Sequence, residues 1–430
     1  MKLVILGLGY VGLANVAYFA EHGKNDLVAF DTDEGKISAL KSLQFPYKEP
    51  PLNSVLGKNA RKILYTSSEK EIGDADAYFL CVGTPSKEDG SADLTALNSA
   101  VSLIERSSKT SKIIIRSTVP VGTAKSLQER LPNFSVISMP EFLAEGRSYE
   151  DESNAYRIVL GARQQSDFEF IRNLRKTDVI NGVPFYFMSN ESAELTKYAS
   201  NMFLSMKISY VNEMSRLSEA VGADIEDVAM AMGADPRIGH SMLKAGLGYG
   251  GSCFPKDAKA LLDTANKEGM DLLLPEATSA VNQIQPLYFL KKIYARYPNL
   301  QSVHFALLGL AYKAGTSDLR NALSLTMAKP LLDAGALIKA YDPSISAREA
   351  FKKVYPSIEL CATKEDALRG ADAILIITEE REFASLDEKM LLSLMAGRVI
   401  FDGRNLYPLH HFAYFDYVSV GRPVGEAQSK

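Results

Sequence analysis

The fold is predicted most directly by Lys2-Leu3-Val4-Ile5-Leu6-Gly7-Leu8-Gly9-Tyr10-Val11-Gly12. The β-branched and leucine-rich first half predicts a buried strand, and the apolar periodicity that continues to Ala20 predicts a helix. Between them, Gly7 makes a tight turn, Gly9 lets the backbone approach a pyrophosphate, and Gly12 lets the helix pack on the strand. The stretch therefore predicts the first strand-turn-helix unit of a doubly wound α/β sheet.

The next strand supplies an acidic residue where a dinucleotide site needs one. Residues 27–30 form an apolar run that ends at Asp31, about 20 residues beyond the glycines, where a carboxylate binds the ribose hydroxyls of NAD. The negative charge of Asp31 would repel the 2′-phosphate of NADP. Lys36 follows closely and is a further candidate contact. We therefore expect the cofactor to be NAD.

Strands and helices continue to alternate up to about residue 190. The predicted strands lie at residues 62–66, 78–82, 112–117, 136–139, 157–161 and 184–188, with a helix at 94–104. Thr84 and Thr118 follow two of these strands, and strand ends line the ligand crevice of a doubly wound sheet. Residues 1–190 are thus predicted to form an NAD-binding domain of the Rossmann type.

The pattern changes at Asn190 to one long helix that extends to about Ala220. Lys197 and Asn201 are four residues apart and therefore share one face of this helix. Residues 191–299 are predicted to be a central helical region. Residues 300–430 return to strand and helix alternation without a second glycine fingerprint, which predicts a Rossmann-like domain for a different ligand, with a frayed tail at residues 428–430.

A second glycine-rich stretch, Leu247-Gly248-Tyr249-Gly250-Gly251-Ser252-Cys253-Phe254-Pro255-Lys256-Asp257, carries the candidate nucleophile. Gly248, Gly250 and Gly251 allow positive φ and close backbone approach, so Cys253 can be presented on a strained loop that closely contacts its ligand. Lys256 supplies a cation beside the thiol, and Asp257 supplies a carboxylate that could move a proton. The alternative interpretation is a glycine-rich turn with an inert, packed cysteine.

Composition excludes several classes of function. The 430 residues carry a net charge of −4 and contain no basic run, which argues against nucleic acid as a partner. The first apolar run is too short for a signal peptide, and no stretch is long enough to span a bilayer. Three widely spaced cysteines suit a reducing compartment, so we expect a cytoplasmic protein with free thiols. No metal site is expected.

Six motifs together resemble the nucleotide-sugar 6-dehydrogenases of the UDP-glucose/GDP-mannose dehydrogenase family. They are GLGYVG (residues 7–12), STVPVG (117–122), PEFLAEG (140–146), KYASN (197–201), GYGGSCFPKD (248–257) and FDGR (401–404). Each motif alone is modest, but all six occur in the family's order along almost the whole chain.

The resemblance implies two Rossmann-like domains joined by a long helix, with NAD on the first, a UDP-sugar on the second and the chemistry between them. It implies a homodimer that oxidises UDP-glucose to UDP-glucuronate, a precursor for polysaccharide biosynthesis, in two hydride transfers. Cys253 would capture the aldehyde as a thiohemiacetal, which becomes a thioester that water hydrolyses. A thiol suits this route because the captured carbon can still lose a hydride before acyl release.

Roles for single residues also follow from the resemblance. Lys197 would stabilise the oxyanion, Asn201 would position the C6 oxygen, and Asp257 would take the alcohol proton. Glu141 would act as the base for the hydrolytic water, which Thr118 would hold. The candidate cofactor contacts are Gly7, Gly9, Tyr10, Val11, Gly12, Asp31, Lys36, Thr84, Thr118, Glu145, Lys256 and Arg320. The candidate substrate contacts are Glu141, Phe142, Leu143, Ala144, Glu145, Lys197, Asn201, Arg237, Met242, Leu243, Lys244, Ala245, Gly246, Tyr249, Gly250, Lys313 and Arg404, of which Arg237 would be lent across the dimer interface.

Two alternative functions remain: an enzyme with a different nucleotide-sugar substrate, and a binding protein without catalytic activity. A relative that acts on UDP-N-acetylhexosamine or GDP-mannose is the nearest alternative, but such relatives carry an arginine in the PEF segment, where this chain has Phe142. A nucleotide-sugar sensor without chemistry would not need Cys253, Lys197, Asp257 and Glu141 together. The chain departs from the family pattern at residues 150–157, which are more acidic and lack a proline.

Overall fold

The computed structural model describes residues 1–425 of the chain. These residues form two compact units: unit 1 is Met1–Ser200 with Lys259–Met270, and unit 2 is Asn201–Ala258 with the chain from Asp271 onward. The division into three segments at residues 190 and 299 stays a prediction. The expected frayed tail at residues 428–430 lies outside the described residues.

The sheet of unit 1 has eight strands within the described residues, in the order β3-β2-β1-β4-β5-β6-β7-β8. Neighbouring strands are parallel except for β6 and β7. Their bounds are β1 (Lys2–Leu6), β2 (Asp26–Phe30), β3 (Ile63–Thr66), β4 (Ala77–Leu80), β5 (Lys112–Ile115), β6 (Ser135–Ser138), β7 (Ile158–Gly161) and β8 (Phe185–Met188). Each of these strands overlaps a strand that was predicted from the sequence.

Both faces of this sheet are buried. Leu3 and Ile5 of β1 belong to one apolar cluster, and Val4 and Leu6 belong to the cluster on the other side. A strand that is covered on both faces reads as a continuous apolar run, which is why β1 was recognisable. The helices of unit 1 are α1 (Tyr10–His22), α2 (Glu34–Lys41), α3 (Pro50–Lys58), α4 (Glu69–Ile72), α5 (Thr95–Ser107), α6 (Thr123–Arg130), α7 (Ser148–Ser153), α8 (Gln165–Leu174) and α9 (Lys176–Ile180).

The sheet of unit 2 repeats the topology of the first six strands of unit 1. Its six strands within the described residues follow the order β11-β10-β9-β12-β13-β14 and are all parallel. Their bounds are β9 (His304–Leu308), β10 (Leu337–Tyr341), β11 (Glu359–Leu360), β12 (Ala373–Ile376), β13 (Val399–Asp402) and β14 (Asp416–Val418). The expected fold class, two Rossmann-like domains and a long central helix, is confirmed.

The first turn of each sheet shows why only unit 1 carries a dinucleotide fingerprint. Gly309 has a φ of +90° and Gly7 a φ of +92°, so both bend the chain directly after the first strand of their sheet. In unit 2, however, the buried carboxylate of Asp342 accepts the N–H groups of Leu310 and Ala311 at 2.8 and 3.1 Å. The Ala311 N–H, at the position that Gly9 takes in unit 1, therefore already binds an internal anion.

The central helix α10 (Asn190–Val221) begins in unit 1 and ends in unit 2, and it matches the predicted long helix. The remaining helices are α11 (Ile225–Gly233), α12 (Phe254–Lys267), α13 (Leu273–Arg296), α14 (Leu323–Asp333), α15 (Ile345–Val354), α16 (Lys364–Leu368) and α17 (Glu388–Leu394), with single 3₁₀ turns at Ala60–Lys62 and Phe383–Ser385. In residues 1–425, no helix combines the length and apolarity needed to cross a membrane.

Candidate active site

The glycine turn of unit 1 leaves open the space that a bound dinucleotide needs. A Cβ atom at Gly9 would have no neighbour nearer than the Tyr47 hydroxyl at 3.9 Å. A Cβ at Gly12 would instead lie 1.9 Å from the carbonyl oxygen of Gly7, so Gly12 is required for α1 to pack on the turn. Gly9 is the residue directly before α1, whose free N–H groups favour an anion there. This turn therefore fits the pyrophosphate of NAD.

Asp31 stands at the end of β2, as expected, and its carboxylate organises the same turn. Oδ2 accepts the Leu8 N–H at 2.8 Å and contacts Lys36 Nζ at 2.8 Å, while Oδ1 accepts the Asp33 N–H at 3.1 Å. Partial burial would raise the pKa of Asp31, but Lys36 and the two N–H donors outweigh it and lower the pKa. Asp31 is thus held as a carboxylate, which suits recognition of ribose hydroxyls.

Three predicted residues of unit 1 lie at the ends of β4, β5 and β6. Thr84 donates its hydroxyl to the carbonyl oxygen of Thr118 at 2.6 Å, which joins the two loops. Glu141 is 5% exposed, and its two oxygens accept from Lys197 Nζ at 3.0 Å and from the Leu143 N–H at 2.6 Å. The structure therefore brings the predicted base Glu141 and the predicted oxyanion partner Lys197 into direct contact.

The segment after Glu141 is an extended turn rather than a helix, so Glu141 and Glu145 do not share a helix face. Its shape depends on the acidic segment that departs from the family pattern. Asp151 accepts the Ala144 N–H at 2.9 Å, and the buried Glu152 forms ion pairs with Arg116 and Arg175. The extra acidic residues thus bind groups of unit 1 itself.

Two aromatic contacts complete this part of unit 1. The guanidinium of Arg157 lies 3.9 Å from the centre of the Phe142 ring, and Lys197 Nζ lies 5.6 Å from it. Phe142 therefore stacks against a cation that the sequence pattern did not assign to the site.

Unit 2 holds the predicted nucleophile and its proton acceptor. Cys253 directly precedes α12, and its Sγ lies 3.8 Å from the Ser252 hydroxyl. Asp257 is 2% exposed, and its oxygens accept from Asn201 Nδ2 at 2.6 Å and from Lys256 Nζ at 2.7 Å. Because Asp257 lies one helical turn after Cys253, a substrate carbon beside the sulfur can have its alcohol oxygen near this carboxylate.

The glycines of the Cys253 loop do not all share one backbone conformation. Positive φ occurs at Gly248 (+114°) and Gly251 (+80°) but not at Gly250. A Cβ at Gly250 would lie 2.1 Å from the carbonyl oxygen of Asn321, and one at Gly251 would lie 2.6 Å from the Tyr312 ring. These two glycines therefore allow the loop to pack on the protein, and the expected contact of their backbone with a ligand does not explain them.

A cluster of cations lies in unit 2 around a carboxylate that sequence reasoning missed. Lys244 Nζ contacts Glu379 at 2.9 Å, and Arg404 and Lys313 also act electrostatically on Glu379. Burial would raise the pKa of Glu379, but these three cations lower it. Burial also lowers the pKa of Arg404, whose Nε donates to the Ile377 carbonyl at 2.6 Å. Three converging cations suit a diphosphate.

Several other predicted substrate contacts of unit 2 are held in place by burial or by hydrogen bonds. Leu243, Ala245 and Tyr249 are buried, and Met242 adopts a strained φ of +63°. Strain of this kind at a non-glycine residue is typical of ligand loops. The Gly246 N–H donates to Asn212 Oδ1 at 2.8 Å.

The two remaining predicted arginines lie at the surface. The Arg237 and Arg320 side chains are 87% and 65% exposed and pair with Asp235 and Asp318, respectively. Both guanidiniums therefore reach solvent from short turns, where they can meet a ligand or a second chain.

The other two cysteines, Cys81 and Cys361, lie outside the candidate active site. Burial raises the pKa of Cys81 to about 12 and that of Cys361 to about 11, which makes both thiols poor nucleophiles at neutral pH. None of the three cysteines is in a disulfide, and Cys253 is the most accessible of them. The described residues contain no cluster of His, Cys, Asp or Glu that could hold a metal ion.

Models of one protein family match three consecutive segments of the chain. They are described as the NAD-binding, central and UDP-binding domains of the UDP-glucose/GDP-mannose dehydrogenase family, and they match residues 1–177, 191–284 and 306–408.

Individual relatives cover nearly the whole chain. The UDP-glucose 6-dehydrogenase of Rhizobium meliloti is 38% identical over 98% of this chain and 100% of its own length. The UDP-glucose dehydrogenase structure from Pyrobaculum islandicum is 34% identical, with a TM-score of 0.86 over 94% of both chains. A UDP-D-ManNAc dehydrogenase structure from Pyrococcus horikoshii is 25% identical, with a TM-score of 0.87 over 98% of this chain and 99% of that one.

Proposed function

Since the chain belongs to the UDP-glucose/GDP-mannose dehydrogenase family and is an NAD-dependent oxidoreductase, we propose that its substrate is UDP-glucose, which it oxidises to UDP-glucuronate. The observation that carries the chemistry is the position of Cys253, one helical turn before a buried Asp257 that is bound to Asn201 and Lys256. This arrangement provides a nucleophile, a proton acceptor and a group that orients the alcohol oxygen.

The identity of the sugar is supported by sequence similarity rather than by shape. The UDP-D-ManNAc dehydrogenase structure superposes as well as the UDP-glucose dehydrogenase structure, but its identity to this chain is 25% against 34%. Phe142, where relatives for other sugars carry an arginine, also supports glucose. The diphosphate would bind the cations Lys244, Lys313 and Arg404.

The first oxidation, of the C6 alcohol to an aldehyde, uses Asp257, Asn201 and Lys197. The Gly7–Gly12 turn and Asp31 would hold NAD, which would supply the hydride acceptor for both oxidations. In the first, Asp257 takes the proton of the C6 hydroxyl while Asn201 holds the oxygen, and the alcohol becomes an aldehyde. Lys197 stabilises the negative charge that develops on this oxygen.

Cys253 then makes the second oxidation possible. Its thiolate attacks the aldehyde carbon and forms a thiohemiacetal, which loses the second hydride and becomes a thioester. The N-terminus of α12 lies next to the sulfur and favours negative charge there. Glu141 removes a proton from water held at Thr118, and the resulting hydroxide attacks the thioester carbon. The carbon–sulfur bond breaks, Cys253 leaves as a thiolate, and the new carboxylic acid loses its proton to solvent to give the carboxylate.

A panel of nucleotide sugars tests this function. We expect the purified protein to form NADH with UDP-glucose at a kcat/KM well above those for UDP-N-acetylglucosamine, UDP-N-acetylmannosamine and GDP-mannose. Two NADH should form for each UDP-glucuronate. A higher kcat/KM with one of the other three sugars would refute UDP-glucose as the substrate.

We also propose that the enzyme is a homodimer. Phe203, Tyr210, Leu217 and Val221 on α10 are exposed at 59%, 47%, 55% and 68%, and their spacing places them on one helix face. A stripe of large apolar side chains marks an interaction surface. The wild-type protein should have the mass of a dimer in light scattering, and Leu217→Glu should shift it toward the monomer. A monomeric wild type at micromolar concentration would contradict this.

A cytoplasmic location is the third proposal. It is supported by the three cysteines, none of which forms a disulfide, as is typical of a reducing compartment. Cell fractionation with an antibody against the protein should recover it with cytoplasmic markers.

A further inference from the structure

Glu194 is a buried carboxylate of unit 1 to which the sequence motifs assign no role. It lies on α10, three residues before Lys197, and is 3% exposed. Its Oε2 accepts the Gly122 N–H at 2.7 Å, and its Oε1 accepts the Ala124 N–H at 2.8 Å. These two donors flank the start of α6, so one side chain of α10 holds the end of the loop that follows β5.

That loop carries Thr118, and the same face of α10 carries Lys197. Glu194, Thr118 and Lys197 line one small cavity, and Ser138 at the end of β6 lines it as well. The Ser138 hydroxyl donates to Glu194 Oε1 at 3.4 Å. Asn190, one helical turn earlier, accepts the Ser138 N–H at 3.1 Å. Glu194 is therefore the link between the helix that presents Lys197 and the loop that presents Thr118.

We infer that Glu194 is a positioning residue, whose carboxylate fixes the loop with Thr118 relative to Lys197 for hydrolysis of the thioester. This inference deepens the proposed function and rests on it. Both oxygens must accept a hydrogen bond, which a carboxylate does and a carboxamide does not, because its NH₂ would face a backbone N–H. Negative charge at the start of α6 is also favoured by the helix dipole.

The protonation of Glu194 falls in the physiological range. Burial raises its pKa to about 7, although the Ala124 and Gly122 N–H groups and Ser138 oppose this, and Glu191 adds a small further increase. The charged groups that face it are Glu191 and Lys197 of α10, and Lys197 is in turn paired with Glu141. Near pH 7 the charged and the neutral forms of Glu194 thus coexist.

Activity and stability should then respond to pH in opposite directions. Activity needs the carboxylate and should fall as the pH drops through about 7. Because the pKa of Glu194 in the folded protein lies above the ordinary glutamate value, protonation of Glu194 stabilises the folded state. That stability is complete below about pH 4.3, the ordinary glutamate pKa, and is lost as the pH rises through the folded value. A merely structural glutamate would not produce this opposition.

Glu194→Gln tests the inference in the full-length protein. We expect kcat with NAD and UDP-glucose at pH 8 to fall about 10- to 100-fold, the effect of a misplaced catalytic group, with both KM values unchanged. The fall in kcat as the pH drops through about 7, the acid limb of the pH profile, should disappear. The decrease in melting temperature that the wild type shows from pH 5 to pH 8 should disappear as well. Glu191→Gln is the matched control: it should keep kcat and only move the acid limb to lower pH.

Ser138→Ala provides a second test that does not depend on folding of Glu194→Gln. Loss of the hydroxyl donor should raise the pKa of Glu194 further and move the acid limb to higher pH. Wild-type kcat and an unchanged acid limb in Glu194→Gln, or an unmoved limb in Ser138→Ala, would overturn the inference. Failure of the wild-type protein to form NADH from UDP-glucose would instead refute the proposed function.

Discussion

At the scale of single residues, we propose that Asp31 determines which dinucleotide the protein accepts. Its carboxylate is positioned by the Leu8 N–H and Lys36, so a 2′-phosphate would meet a fixed negative charge. Asp31→Ala should therefore lower kcat/KM for NAD, raise it for NADP and leave Lys36 free to bind the phosphate. The measurement is the ratio of the two kcat/KM values, with UDP-glucose saturating.

Asp33→Ala is the matched control for that substitution. Asp33 caps α2 by accepting the Lys36 N–H at 2.9 Å, so its loss should cost about 1 kcal/mol of stability without changing cofactor preference. An unchanged NAD to NADP ratio in Asp31→Ala, or an equal change in both variants, would show that Asp31 does not set the preference.

The side chains that the sequence could identify are those within short motifs. Cys253 and Asp257 belong to a glycine-rich motif and Asn201 belongs to KYASN, and unit 2 brings Asp257 and Asn201 together. Glu194 and Glu379 could not be assigned, because their roles come from partners more than 70 and 130 positions away in the chain. A glutamate at the third position before Lys197, on the buried face of a long helix, is the signal that could have pointed to Glu194.

At the scale of elements, the turn between β1 and α1 offers a test with two neighbouring glycines. Gly12→Ala would force a Cβ to within 1.9 Å of a backbone oxygen, so α1 cannot keep its place and the protein should lose about 3 kcal/mol of stability or more. Gly9→Ala has 3.9 Å of clearance and should cost less than about 1 kcal/mol. It should nevertheless abolish NAD binding, because its methyl group occupies the space of the pyrophosphate.

Urea unfolding and NAD titration calorimetry separate the two effects. A stable Gly9→Ala variant that binds NAD like the wild type would show that the pyrophosphate does not approach the backbone here. Equal losses of stability in the two variants would mean that the protein has no space for a Cβ atom at Gly9.

Elements with strong periodicity were predictable, and those fixed by distant side chains were not. The eight strands of the unit 1 sheet and α10 follow from their apolar patterns. The turn after Glu141 could not be predicted, because Asp151 takes the Ala144 N–H that a helix would need. The packing of Gly250 could not be predicted for a similar reason, because its partner, Asn321, is 71 positions away in the sequence.

At the scale of the whole molecule, unit 1 depends on a buried charge network around Glu152. Burial would raise the pKa of Glu152, but Arg116 and Arg175 outweigh it and hold the pKa below its ordinary value. The stability from this carboxylate is therefore complete above about pH 4.3, the ordinary glutamate value, and is lost as the pH falls through the lower folded value.

Removing one partner of this network should be costly. Glu152→Gln leaves two buried arginines without their shared carboxylate and should lower the free energy of unfolding at pH 7 by about 3 to 5 kcal/mol. Glu69→Gln, which removes an exposed pair with Arg106, should change it by less than about 1 kcal/mol. Similar denaturant midpoints for the two variants would contradict a structural role for the network.

The central claim is that Cys253 carries the substrate as a thioester, and intact-protein mass spectrometry tests it most directly. Glu141→Gln, which lacks the base for hydrolysis, is mixed with NAD and UDP-glucose. It should gain the mass of a UDP-glucuronyl group, which should disappear in Glu141→Gln/Cys253→Ala and persist in Glu141→Gln/Cys361→Ala. The absence of any adduct, in a preparation whose wild type turns over, would remove Cys253 from the mechanism.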